Sequence, residues 1–321
     1  MNILGFESSC DETSASVVCN GREVLSNVVA TSLKDHQKYG GIIPEIASRR
    51  QLEYINIVTA QALTTAGLSL KDVDAVAVTE APGLIGSLVV GRSFAHSLSF
   101  ALQRPLVKVN HIEAHVYAGY LTEKNEKDRD LLGEFLLPAV GLVVSGGHSS
   151  LFYIKDFSSF RVFGQTRDDA AGEAYDKVAR ILDLGYPGGP VIDKLSQQVK
   201  DNDIKFPCAP LEGTDDFSFS GLKTSVLYYT QRNAKIGFSV EKVANAFQES
   251  VVNVLVRKSI EACLKKKVFS LLVGGGVAAN STLRARLSES AAARGIKVRF
   301  PSLPLCMDNA AMVAGLAYHL L

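Results

Sequence analysis

Short apolar runs separated by turns, mixed with longer stretches at helical spacing, organise this chain. Residues 2–6 and 14–19 are apolar runs of strand length, joined by the acidic, hydroxyl-rich Glu7-Ser8-Ser9-Cys10-Asp11-Glu12-Thr13. That order predicts two strands and a tight turn. Residues 34–48, with Gly40, Gly41 and Pro44, read as a loop. Over residues 48–65, Leu52, Ile55, Ile57, Val58 and Ala62 recur at helical spacing, and Gly67 marks the end. A buried strand is predicted at 73–78, then a turn from Ala81 to Gly86, a helix over 87–102, a strand at 106–109 and a helix over 111–121. Residues 122–130 carry seven charges in nine positions and predict an exposed linker.

The pattern then partly repeats. Runs at 139–144 and 151–154 flank Ser145-Gly146-Gly147-His148-Ser149-Ser150, again strand, small polar turn, strand. The run at 268–273, Gly274-Gly275-Gly276 and a helix from Asn280 repeat the strand, glycine turn and helix seen near 73–102. Two copies of one order predict a duplicated α/β domain. The second copy carries a mainly helical insertion at about 172–267. The expected domains are 1–121 and 131–308, with a last helix over 309–321 that packs back on the first.

At 321 residues, 47% hydrophobic and 21% charged, the chain can fill two cores, which excludes disordered and fibrous classes. Five cysteines without a CxxC pair point to a reducing compartment rather than a disulfide framework. No basic segment followed by an apolar core opens the chain, so export is not expected. The uncharged run 135–154 is broken by Pro138, Gly146, Gly147 and His148, a strand–turn–strand pattern rather than a membrane helix. A soluble cytoplasmic protein with no membrane partner is expected. Net charge is only +1, yet residues 257–299 hold ten basic residues against Glu261 and Glu289. That stretch is either a pair of solvated helices or a surface for a polyanion.

The glycine turns and the histidines carry the candidate chemistry. A Ser/Gly turn such as Ser145-Gly146-Gly147 exposes backbone N–H groups that can cradle a phosphate. Gly274-Gly275-Gly276 permits close approach of a flat ligand, and Asn280 at a helix start offers an amide to a nucleoside. His111 and His115, four apart, share one face of a helix and can hold one metal ion. Glu113 sits roughly 200° around the helix from His111, so the general base of an H-E-x-x-H protease is not supported. A third ligand must come from elsewhere. Asp308 is the best candidate, with N-capping of the last helix as a compatible role.

In combination these blocks resemble the TsaD family, also called the YgjD, Gcp or Kae-type family. The resemblance rests on the Glu7 to Thr13 block, Asn110-His111-Ile112-Glu113-Ala114-His115, Val144-Ser145-Gly146-Gly147-His148, the Asp168 to Lys177 block and Tyr186-Pro187-Gly188-Gly189-Pro190. Phe217 to Thr224, Gly274 to Asn280 and Cys306-Met307-Asp308-Asn309 continue it in family order over nearly the whole chain. Met307 stands where bacterial relatives usually carry Thr.

The resemblance implies duplicated RNase H-like domains of the actin-like ATPase (ASKHA) type. It implies transfer of a threonylcarbamoyl group from threonylcarbamoyl-AMP to N6 of adenosine 37, in tRNAs reading codons that begin with A. It assigns His111, His115 and Asp308 to one divalent metal ion per subunit, Fe2+ by family; from ligand chemistry alone Zn2+ suits equally. It suggests Val143, Val144, Ser145, Gly146, Gly147, Asp176, Gly189, Asp193 and Asn280 as contacts to the adenylate, and TsaB- and TsaE-like proteins as partners. Asp11 and Glu12 are the candidate catalytic carboxylates, against a reading as a plain acidic turn. An ATPase or sugar kinase would use both glycine turns without needing His111, His115 and Asp308 together. A non-catalytic scaffold would lack that trio.

Overall fold

The computed structural model describes the chain apart from Lys38 and residues 124–134, 209, 210 and 212. Most of the predicted linker at 122–130 therefore lies outside the described residues. Two compact units are formed, Met1–Phe135 with Pro301–Leu321, and Leu136–Phe300.

The first unit begins with β1 (Asn2–Glu7), β2 (Glu12–Cys19) and β3 (Glu23–Thr31), an antiparallel meander. Next come α1 (Leu33–Gln37), α2 (Pro44–Ala66), β4 (Ala75–Ala81), α3 (Ile85–Leu102), β5 (Leu106–Asn110), α4 (His111–Tyr117) and the short β6 (Thr122–Glu123). The sheet order is β5-β4-β1-β2-β3-β6, with β4 parallel to both β1 and β5.

Two expectations shift here. The segment read as a loop at 34–48 contains α1 and the start of α2, because Pro44 occupies the first turn, where its missing N–H costs nothing. The strand β3 was not predicted: Ser26 and Asn27 interrupt its apolar residues, and only part of it is buried.

The core of this unit joins Leu4, Phe6, Ala15 and Val17 of the meander to Ile55 and Val58 of α2 and to Val76 and Val78 of β4. Phe6 meets Phe94 of α3 edge-on at 5.2 Å between ring centroids. The helix α3 is long and apolar enough to cross a membrane by length and composition alone. In this unit it buries Ser87, Gly91, Ala95 and Ser99, one stripe at i, i+4 spacing.

The second unit holds β7 (Ala139–Val144), β8 (Ser149–Asp156), β9 (Ser159–Gln165), α5 (Ala171–Ile181), α6 (Gly188–Ser196), α7 (Ser220–Asn233), α8 (Val240–Lys266), β10 (Ser270–Gly274), α9 (Ser281–Ala292) and β11 (Lys297–Arg299). Its sheet order is β11-β10-β7-β8-β9, antiparallel through β7-β8-β9 and parallel through β7-β10-β11. This is the order and direction of β5-β4-β1-β2-β3. The duplication predicted from the sequence is thus a repeat of topology. Between β9 and β10 lie α5 to α8, the helical insertion. The Asp168 carboxylate fastens its start, accepting from the amides of Phe219 and Ser220 (2.8 and 3.2 Å) and from both the Ser218 and Ser220 hydroxyls.

The last helix, α10 (Ala310–Ala317), belongs to the first unit and is buried along its whole length. Residues Leu4 and Phe6 point to the core containing α2, so the intervening Gly5 points the other way, where it meets Ala310 and Ala314 of α10. The second unit ends at Phe300, so the segment 301–308, placed with the second domain by sequence, lies with the first. The N-cap of α10 is Asn309, whose side chain accepts from the Met312 amide at 3.1 Å. Asp308, the expected cap, does not fill that role.

Candidate metal centre

The side chain of Asn110, the last residue of β5, accepts from the amides of Ile112 and Glu113 at 2.9 and 3.1 Å and so starts α4 at His111. Both histidines of this helix are buried, with rings edge-on and centroids 4.6 Å apart. Asp308 reaches them from just before α10. Its Oδ1 stands 3.0 Å from Nε2 of His115 and 3.7 Å from Nε2 of His111. The three offer ligand atoms that all lie within 4.8 Å of one another. Glu113 is not among the carboxylates that meet the two rings.

The surroundings suit a cation. His115 Nδ1 is buried without a hydrogen-bond partner among the described residues. Burial opposes charging His111, yet Glu7 and Asp308 beside it raise its pKa to about 9. Glu12 is pushed well above the ordinary carboxylate range by burial and by the charges of Asp308 and Asp11. Carboxylates crowded this closely resist ionising together unless positive charge joins them. Two imidazoles and a carboxylate with this spacing fit a divalent transition metal, whose metal–nitrogen bonds are about 2.0–2.1 Å for zinc.

Around His111 the neighbouring strands β1 and β4 contribute Glu7 and Thr79. Glu7 Oε2 meets His111 Nδ1 at 2.9 Å and accepts from the Thr79 hydroxyl at 2.6 Å; its Oε1 accepts from the Ser9 amide at 2.6 Å. The turn carrying Asp11 and Glu12 is held by its carbonyls. The buried Gln51 of α2 donates to those of Ser8, Cys10 and Glu12 at 3.2, 2.9 and 3.3 Å, and Ser32 donates to that of Asp11 at 2.9 Å. Burial and the acidic neighbours Asp308, Asp11 and Glu12 push the Cys10 thiol far up, against its thiolate form.

In the second unit, Val143 and Val144 are buried at the end of β7, while Gly146 and Gly147 are exposed. The Ser145 amide is occupied by the His148 carbonyl at 2.8 Å, the Ser145 carbonyl by the Gly172 amide at 3.1 Å and the His148 amide by the Ser145 hydroxyl oxygen at 3.1 Å, so the Ser145 and His148 amides are committed within the protein. Gly275 has φ +89°, and a Cβ there would stand 2.4 Å from the Val144 carbonyl oxygen, which makes it a structural requirement of this junction.

Asn280 is more committed than the sequence suggested. Its Oδ1 caps α9 through the Leu283 amide at 2.9 Å, and its Nδ2 donates to Gln248 at 2.8 Å. Asp193 accepts from Gln248, from the Ser281 amide and from the Ser281 hydroxyl, each at 3.0 Å. Asp176 accepts from the Gly188 amide at 2.8 Å, and Gly189 follows in the first turn of α6, with nothing within 4 Å of a Cβ. Burial is the main cause holding the Asp176 carboxyl above its usual range.

Much of the basic stretch 257–299 is used internally. Lys258 donates to the Thr214 carbonyl, Lys265 pairs with Asp215, Lys266 lies over the Phe163 ring, Arg284 over Phe300, and Arg286 pairs with Glu249. Sequence spacing gave no sign of Glu7, Thr79, Gln51 or Gln248 in these roles, because their partners are distant in the chain.

Comparison with known proteins agrees with these observations. The TsaD family profile, described as tRNA N6-adenosine threonylcarbamoyltransferase, matches residues 23–315. A curated tRNA N6-adenosine threonylcarbamoyltransferase of Clostridium botulinum (strain 657 / Type Ba4) is 50% identical, covering 99% of this chain and 92% of its own. The same-named protein of Clostridium kluyveri is 49% identical with the same coverage. Among solved structures, HypF of T. kodakarensis aligns with TM-score 0.65 at 16% identity, over 99% of this chain and 47% of that one. Component A of the (R)-2-hydroxyglutaryl-CoA dehydratase of Acidaminococcus fermentans aligns with TM-score 0.57 at 13% identity, over 100% and 98%. At such identities the likeness concerns the fold, which is the duplicated actin-like (ASKHA) one. The extent and identity of the sequence match, together with this fold, make the chain a member of the TsaD family.

Proposed function

We propose that this protein transfers a threonylcarbamoyl group from threonylcarbamoyl-AMP to N6 of adenosine 37 in tRNAs reading codons that begin with A, with AMP as leaving group. The observation that carries this reading is the convergence of His111, His115 and Asp308 in a chain half identical to named transferases over almost its full length. These three side chains would hold one divalent ion per subunit, Fe2+ by family and Zn2+ equally by donor set. When bound, the ion supplies Lewis acidity and a template for carbamoyl and phosphate oxygens.

The chain's own residues do the rest. Val143, Val144, Ser145, Gly146, Gly147, Asp176, Gly189, Asp193 and Asn280 are the proposed adenylate contacts. The amides of the turn would offset charge on the phosphate as the carbamoyl carbon–oxygen bond breaks. Adenine N6 is a weak nucleophile, so positioning matters more than base strength while the new carbon–nitrogen bond forms. A carboxylate of the acidic turn, Asp11 or Glu12, accepts the proton that leaves N6. The site of action is the cytoplasm, with TsaB- and TsaE-like proteins as partners.

The test is mass spectrometry of nucleoside 37 after incubating the metal-loaded protein with threonylcarbamoyl-AMP, tRNA and partner proteins. Modified nucleoside and AMP in equal amounts are expected, and Asp308→Ala abolishes both. Phosphate release from ATP with no modified nucleoside would overturn the reading in favour of an ATPase.

A further inference from the structure

We infer that Glu7 is a positioning residue for the proposed metal centre, holding the His111 ring so that Nε2 is the atom offered to the ion. The inference rests on the reading of His111, His115 and Asp308 as ligands. Glu7 is only 1% exposed, and both its oxygens are engaged: Oε1 by the Ser9 amide at 2.6 Å, Oε2 by the Thr79 hydroxyl at 2.6 Å and by His111 Nδ1 at 2.9 Å. An ionised carboxylate can only accept. The proton between Glu7 and His111 therefore belongs to Nδ1, so the nitrogen that gives up its proton to an incoming ion is Nε2, which faces Asp308 at 3.7 Å. The Ser9 hydroxyl, 3.2 Å from the same Nδ1, is a second acceptor for that proton.

The anchoring is one-sided. Thr79 and the Ser9 backbone fix Glu7 from two directions, whereas His115 Nδ1 has no partner among the described residues. His111 is thus the preset ligand and His115 the adjustable one. Carboxylates placed behind a ligating histidine orient the ring and raise its basicity, and removing them typically costs roughly 10–100-fold in metal affinity.

The test is Co2+ titration of the metal-free full-length protein, followed by visible absorption and by chelator competition. Glu7→Ala is expected to bind about 10–100-fold more weakly with an altered cobalt spectrum. Glu7→Gln and Thr79→Val, which keep the shape of the site, should give smaller losses in that order. Folded Glu7→Ala or Thr79→Val proteins with wild-type affinity and spectrum would overturn the inference, and Thr79→Val keeps it testable should both Glu7 variants fail to fold. His115→Ala and Asp308→Ala separate the two readings. If they too bind Co2+ like wild type, the metal centre itself is wrong; if only they lose binding, the role of Glu7 alone is wrong.

Discussion

Gly5 lies so close to Ala310 that a Cβ on it would stand 2.7 Å from the Ala310 carbonyl oxygen. The same atom would be 2.8 Å from the Cβ of Ala314. Neither neighbour is the end of a flexible side chain, so Gly5→Ala must push α10 away from the sheet. The expected loss is about 1–3 kcal/mol in urea unfolding. Asp308 immediately precedes this helix, so cobalt binding should weaken in parallel. An unchanged unfolding midpoint would mean that α10 moves without cost.

Glu12 makes the metal-free protein sensitive to alkali. Its folded carboxyl titrates well above the ordinary value, chiefly through burial and the charges of Asp308 and Asp11. The folded state therefore binds more protons than the unfolded one in that window. The associated stability is fully present below the model-compound value of 4.5 and is lost as pH rises through the folded value. In Glu12→Gln this slope should disappear, as read from urea midpoints across pH in the presence of a chelator.

Asp168 should be the latch of the helical insertion. Replacing it with alanine removes the cap of α7 and is expected to cost about 0.5–2 kcal/mol. Hydrogen exchange at Phe219 and Ser220 should accelerate while that of β7 does not. Burial opposes its ionisation, but the hydrogen bonds from Ser218, Phe219 and Ser220 hold its pKa below 3.8. This contact therefore persists above pH 3.8 and weakens as pH falls through the lower folded value.

Gln248 is wholly buried and links Asp193 to Asn280, two of the proposed adenylate contacts. Gln248→Leu strands several polar groups, each costing about 1–3 kcal/mol if left unpaired. Steady-state kinetics should show KM for the adenylate rising more than kcat falls. Equal loss in both would place Gln248 in the chemical step instead.

What could be read from the sequence was what local pattern governs. The His111 and His115 pair, the start of α4 at His111 and the repeated strand–turn–strand units depend on neighbours in the chain. The cap of α10 was misassigned by one residue, since Asp308 and Asn309 are both good caps and only the fold decides between them. β3 escaped because Ser26 and Asn27 break its apolar run, and α1 because five residues are too few for periodicity. The support of His111 by Glu7, 104 residues away, leaves no trace in spacing. Charge counting likewise overstated the open basic surface, because it cannot see Arg286 paired with Glu249 or Lys265 with Asp215.

The return of α10 to the first unit has a consequence for biosynthesis. Both imidazoles have left the ribosome long before Asp308, 193 positions after His115, is even translated. A nascent chain can thus offer an ion only part of its cage. An ion held by the proposed trio would have to wait for residue 308, and a premature stop codon anywhere before codon 308 would yield a protein lacking both Asp308 and the buried helix α10.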